Sequence, residues 1–134
     1  MVNSFQWSFL LARLAVGMSM FGHGMVRIPK LAGFSNWMTG QFQKSMLPEM
    51  IVKPFSYALP VAELLVGVLL LLGLFTRQAL IAGAFIMIAL IFGSSMIEEW
   101  NSIPSQLIHA AFFSVLLSFV KDYNILALDN YIHK

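Results

Sequence analysis

The chain has 134 residues, of which 59% are hydrophobic and only 10% charged, with a formal net charge of +2, and its mean hydropathy is +0.80. That balance lies far outside the range of soluble domains, and the length allows one domain. The few basic residues form no cluster interleaved with aromatics, which argues against nucleic acid as a partner. The absence of cysteine removes disulfide exchange, thiolate metal sites and iron–sulfur ligation by the protein itself.

Taken in order, Phe5 to Val26 read as a first span broken only by Arg13 and His23, with Trp7 where an interfacial aromatic belongs. The start lacks the basic residues and cleavage site of a secretory signal, so this span is expected to stay. On a helical wheel Gly17, Met20 and Gly24 fall within about 40° of Arg13, a strip that lets another helix come close, so this face is expected to look inward. Snorkelling of Arg13 to the interface is the competing reading. The connection from Arg27 to Pro54 carries Arg27, Lys30, Lys44, Glu49 and Lys53, too many charges to span. It is expected on the membrane surface, with Ser35 capping a short helix through Trp37, Met38 and Phe42 that floats at the interface or caps the bundle.

The second span is placed at about Phe55–Phe75, with Pro60 in its first turn or at a mild kink. Gly73 and Thr76 punctuate a tight turn, and Thr76 is the predicted cap of a third span, Arg77–Ile97, whose Ala79, Ala82, Ala89 and Gly93 share a face suited to helix packing. Glu98 and Glu99 open an acidic loop, Ser102 offers a cap, and Pro104 suits the first turn of a fourth span over 103–120, where His109 is the strongly polar member. The tail, Lys121–Lys134, is amphipathic enough to rest at the interface. The expected architecture is all-α, an integral membrane four-helix bundle in one domain, with an interfacial helix in the first loop. Its first two spans touch through Gly17, Gly24 and Gly67, so leucine at Gly17 or Gly24 is expected to disturb packing more than alanine at Leu70 or Leu72. Four spans put both termini on one side, and the Lys and Arg counts of the two sides barely decide the orientation.

Glu63 sits in VAELLVGVLLLLGLFTR, Val61 to Arg77, with no other charge between Phe55 and Phe75. About 20 apolar residues at about 1.5 Å each cross a hydrocarbon core of about 30 Å. An ionised carboxylate there costs about 2.5–3.5 kcal/mol, so it is expected to face the interior and a partner. Depth counted along antiparallel spans puts Glu63 about 3 Å, His109 about 4–5 Å and His23 about 11 Å from mid-membrane toward the first loop, with Arg13 about 4 Å the other way. Side chains lean toward their own helix N-terminus, so Glu63 and His23 converge; Arg13 leans away, yet its length keeps a buried Arg13–Glu63 pair in reach.

A carboxylate with imidazoles in a low-dielectric pocket suits proton uptake and release beside a redox partner, and a quinone headgroup fits that chemistry. The competing reading is polar glue, in which Glu63, Arg13 and His23 satisfy one another and pin the helices. A bis-histidine haem on His23 and His109 is disfavoured by an expected depth difference of about 6–7 Å. No spacing of histidines and carboxylates suggests a metal site.

RLAVGMSMFGHGMVRIPKL near the start and VAELLVGVLLLLGLFTRQAL in the second and third spans resemble the DoxX family. The likeness runs through Arg13, Gly17, His23, Gly24 and Arg27 in the first helix. It continues through Glu63, Gly67, Gly73, Leu74, Thr76 and Arg77, and a closing Leu128–Asp129 resembles the family's end. The resemblance implies a four-helix protein of the bacterial or archaeal inner membrane with cytoplasmic termini, related to the DoxD subunit linked with thiosulfate:quinone oxidoreductase. The leading expectation is then a membrane subunit of a quinone-linked oxidoreductase, not catalytic on its own. In it Glu63 and His23 handle protons, Arg13 balances charge, and His109 contacts the cofactor, a quinone. The bilayer, a redox partner subunit and a second copy of the chain are the partners it admits. The alternative is a non-enzymatic scaffold or a small-solute carrier.

Overall fold

Backbone polar groups in lipid must bond within their own segment, which leaves a single chain of this length with helices. A computed structural model of the protein describes residues 1–132. Its elements are α1 (Ser4–Arg27), a 3-10 turn (Ile28–Lys30), α2 (Leu31–Gln41), α3 (Glu49–Leu72), α4 (Thr76–Met96), a 3-10 turn (Trp100–Ser102), α5 (Ile103–Tyr123) and α6 (Asp129–Ile132). Among the described residues four helical runs are long and apolar enough to cross a membrane: Ser4–Gln41, Glu49–Leu72, Thr76–Met96 and Trp100–Tyr123. The fold is the all-α membrane bundle that the apolar runs predict.

The closest packing is between α1 and α3, antiparallel and through glycine. A Cβ on Gly24 would lie 2.5 Å from the Leu64 backbone nitrogen, one on Gly17 would lie 3.0 Å from the Leu70 Cβ, and one on Gly67 would strike the Phe21 backbone. The expected seam of Gly17, Gly24 and Gly67 is therefore present. Leu70, with alanine expected there to cost less than leucine at Gly17 or Gly24, is fully buried against it; Leu65 and Leu72 point outward.

Several local expectations are corrected. Hydrophobicity marks where lipid begins and not where a helix begins: α3 starts at Glu49 behind Pro48, whose extended backbone (φ −73°, ψ 151°) serves as N-cap, so Pro54 and Pro60 both lie inside the helix. Ser35 is no cap. It lies within α2, buried, its hydroxyl 2.6 Å from that of Ser56 on α3. Met38 is buried beside Val52 and Leu59, so the short helix caps the bundle by packing on the first half of α3. The chain stays helical past Pro29, because proline is tolerated in the first turn of a new segment. On α4 the buried residues are Ala79, Leu80, Gly83, Met87 and Ser94, while Ala82 faces out. Gly83 decides this orientation, since a Cβ there would meet the Phe113 ring at 2.6 Å. Ser102 makes no side-chain cap.

Thr76 does not cap α4 either. Phe75 takes the N-cap position in the left-handed region (φ 48°, ψ 44°), and Thr76 becomes the first helical residue with its hydroxyl buried and unbonded. The cap arrives from the tail: Asp129 accepts the Phe75 N–H at 2.6 Å on Oδ1 and the Thr76 N–H at 2.9 Å on Oδ2. A carboxylate at a helix N-terminus also meets the positive end of the dipole. Backbone N–H groups of Leu128 and Asp129 bond the last carbonyls of α3, on Leu72 and Gly73, at 3.2 and 2.9 Å. Gly73 holds a left-handed turn (φ 69°), where a Cβ would meet Ala127. The tail is thus strapped to the α3–α4 turn, and its last two residues, 133 and 134, lie outside the described residues.

Gly67→Leu and Gly24→Leu are expected to destabilise the detergent-solubilised protein by about 1–3 kcal/mol or to prevent assembly, by overpacking. Leu65→Ala, at an outward position, should leave thermal unfolding nearly unchanged. Loss of the distant cap in Asp129→Ala is expected to cost about 0.5–2 kcal/mol in the same measurement and to expose residues 124–132 to protease.

Candidate functional site

Ser19, His23 and Arg27 follow one another at four-residue spacing, so α1 presents them on one face, each leaning back toward the helix N-terminus. Antiparallel packing brings Glu63 of α3 to that face. Arg27 Nη1 donates to Glu63, 3.1 Å from Oε1 and 3.5 Å from Oε2. The carboxylate is 3% exposed and the Arg27 side chain 31%. The guanidinium carbon lies 4.6 Å from the centre of the Phe34 ring, a cation–π contact that fixes the α1–α2 corner over the pair.

The two histidines meet edge to face, ring centres 6.4 Å apart and planes at 87°. His23 Nδ1 lies 2.7 Å from the Ser19 carbonyl and His109 Nδ1 lies 2.8 Å from the Ser105 carbonyl. A carbonyl only accepts, so each neutral ring carries its proton on Nδ1. His109 Nε2 then accepts from the Ser19 hydroxyl at 2.7 Å. The two imidazoles and the Arg27–Glu63 pair border one cavity of about 300 Å³ between α1, α2, α3, α4 and α5, polar at His23, Arg27, Glu63 and His109 and aromatic at Phe34 and Phe55.

Of the residues singled out from sequence, Glu63 faces the interior and shares the cavity with His23 and His109. Arg13 does not join them. It is buried two to three turns before His23 on α1 and extends toward the tail, where Nη1 donates to Asn124 Oδ1 at 2.8 Å and Nη2 to the Leu126 carbonyl at 3.0 Å. The expected Arg13–Glu63 pair is therefore replaced by two separate arrangements, because Arg13 leans away from Glu63 toward a tail that supplies its acceptors. The depth difference held against haem also falls away, since the rings of His23 and His109 touch; both nitrogens of His109 are, however, already bonded within the chain. Among the described residues no three His, Asp or Glu side chains cluster as a metal site requires.

Arg27 is the partner that sequence reasoning missed, having read it as the charge that ends the first span. The lean that brings His23 down toward Glu63 applies equally to Arg27, one turn further on. Gln106 was missed as well: its Nε2 donates to Ser94 Oγ at 3.0 Å, and its Oε1 is buried at the cavity without a partner among the described residues.

The DoxX family model matches residues 8–95. The chain belongs to the DoxX family. That stretch holds Arg13, His23, Arg27 and Glu63, whereas His109 and the tail strap lie beyond it. No curated protein and no solved structure matches this DoxX chain.

Removing the cation from the buried pair is the costlier half of a test. Arg27→Gln leaves a buried carboxylate uncompensated and should destabilise by up to about 3–5 kcal/mol, and the double change Glu63→Gln with Arg27→Gln should recover much of it. Pairing Glu63→Gln with Arg13→Gln should give simple additivity in detergent unfolding, since the two residues sit in separate networks.

Proposed function

We propose that this DoxX protein is a membrane subunit of a quinone-linked oxidoreductase system, in the cytoplasmic membrane of a bacterium or archaeon with its termini on the cytoplasmic side. The cavity receives the quinone ring, and a redox partner subunit exchanges the electrons. The observation that carries this reading is the convergence of a buried carboxylate, an imidazole and aromatic walls on one cavity of about 300 Å³. That volume is at the lower end of ligand pockets, about 300–1,000 Å³, and suits a single substituted ring whose tail stays in lipid.

A quinone supplies two-electron, two-proton chemistry, and the chain's own residues are placed for the proton half of it. His23 offers Nε2 to a ring oxygen, its tautomer held by the Ser19 carbonyl. Glu63 stands behind it as a proton reservoir, and Arg27 holds the carboxylate in place and balances its charge. Phe34 and Phe55 give the cavity its aromatic lining around the ring. His109 reaches a ligand indirectly, bonded to Ser19, the residue that also orients His23.

The scaffold reading is supported by the direct Arg27–Glu63 bond, which ties α1 to α3. The two part over activity. Quinone is expected to co-extract with the purified wild-type protein. The Glu63→Gln, Arg27→Gln double variant is expected to unfold near the wild-type temperature yet lose about 10²–10⁴-fold of quinone-linked electron transfer in membranes, the usual worth of an acid–base group. No co-extracted quinone and unchanged electron transfer would leave the scaffold or a solute carrier.

A further inference from the structure

The cavity lies in one half of the bundle. Its walls come from 20–27 of α1, from α2, from 55–63 of α3, from 87–94 of α4, from the loop at 97–102 and from 105–109 of α5, which on alternating helices are the parts toward the first loop. Met20 and Met87, 1% and 4% exposed, belong both to this lining and to the core, and so form the floor. Beyond them toward the termini Leu70, Leu80, Phe113 and Leu116 are each at most 4% exposed and lie outside the lining. That side is closed by packing.

Toward the first loop the cavity opens. The lining is exposed at His23, Trp37, Gln41, Glu99 and Ser105. At about 1.5 Å per residue, His23 and Ser105 stand about 11–12 Å from the midpoints of their helices, near the edge of a hydrocarbon leaflet about 15 Å deep. Glu99 stands in the loop itself. Helix α4 ends with Glu98 in the left-handed region (φ 56°), and the N–H groups of Glu98 and Glu99 return to the carbonyls of Ser95 and Ser94 at 3.2 and 2.8 Å, the bond pair that commonly closes a helix. This closure holds the Glu99 backbone at the rim. Arg27 and Glu63 offset each other, and among the described residues no lysine borders the cavity, so with neutral imidazoles Glu99 is the charge left over.

We propose that the cavity is a one-sided aqueous inlet joining Glu63 to the first-loop side of the membrane, with Glu99 as the charge at its mouth, so that protons and neutral or cationic solutes reach the site from that side alone. The inlet does not depend on what occupies the cavity. For the ring chemistry proposed above, it decides which face of the membrane gives and takes the protons.

The chain has no cysteine, so one introduced thiol reports alone to membrane-impermeant methanethiosulfonates, applied to membrane vesicles of either orientation. Ala89→Cys, on the lining and about 4–5 Å past the midpoint of α4, reports the deep end. Ser105→Cys reports the mouth. Asp122→Cys, exposed near the end of α5, marks the terminal side, and Ala82→Cys, facing out on α4, marks lipid. Ala89→Cys and Ser105→Cys are expected to react only from the side opposite to Asp122→Cys, and Ala82→Cys from neither. Failure of Ala89→Cys to react, its reaction from the terminal side, or reaction of Ala82→Cys at the same rate overturns the inlet and leaves the quinone reading standing; absence of co-extracted quinone with Ala89→Cys reacting as expected does the reverse. At low salt the cationic reagent should modify Ala89→Cys at least about threefold faster than the anionic one, each relative to its rate with a free thiol, and adding Glu99→Gln should bring that ratio toward one. A ratio that Glu99→Gln leaves unchanged, in a protein unfolding at the wild-type temperature, overturns the role given to Glu99.

Discussion

Two backbones in contact set the geometry of this protein. Between helices in lipid there is no water to expel, so close approach and polar contact supply the attraction. Gly24 against Leu64 and Gly67 against Phe21 fix both the separation and the register of α1 and α3. Once Leu64 lies on Gly24, Glu63 has to emerge beside the next turn of α1, and Arg27 occupies that turn. The ion pair is a result of the glycine register.

Polar groups are gathered at two levels, and the levels do different work. At one end Arg13, Asn124 and Asp129 bind the tail to the α3–α4 turn, with the guanidinium bonded to a side-chain amide and a carbonyl. Every atom that Arg13 touches belongs to the frame. At the other, Glu63 is bonded through a single guanidinium nitrogen beside a cavity, and His23 leaves one nitrogen unbonded. Arg13 keeps one buried nitrogen, Nε, without a partner among the described residues; the spare capacity of Glu63 and His23 differs in bordering a cavity.

How much of this was legible follows from range. The spans and the inward turn of Glu63 were legible because apolar length and the cost of a charge in lipid act locally. The glycine seam was legible for the same reason. The partner of Glu63 was misread, because Arg13 lies within the apolar run and Arg27 at its edge, and residue position masks the direction in which long side chains lean. The packed face of α4 was misread because alanine is small in lipid and in protein contacts alike; only Gly83, forced by the Phe113 ring, distinguishes the two. Asp129 as the cap of α4 had no local signal at all: its partners are 53 and 54 residues away.

That distance bears on how the protein enters its membrane. The hairpin of α3 and α4 is synthesised well before residues 124–129, so it is inserted with the carbonyls of its first arm and the amides of its second still open at the turn. Water or headgroups must serve those groups until the later chain arrives and displaces them. Biogenesis therefore ends with a latch: the bundle's apolar helices can gather early, but the turn that joins α3 to α4 is sealed only after the fifth helix has been threaded and the chain has come back to it.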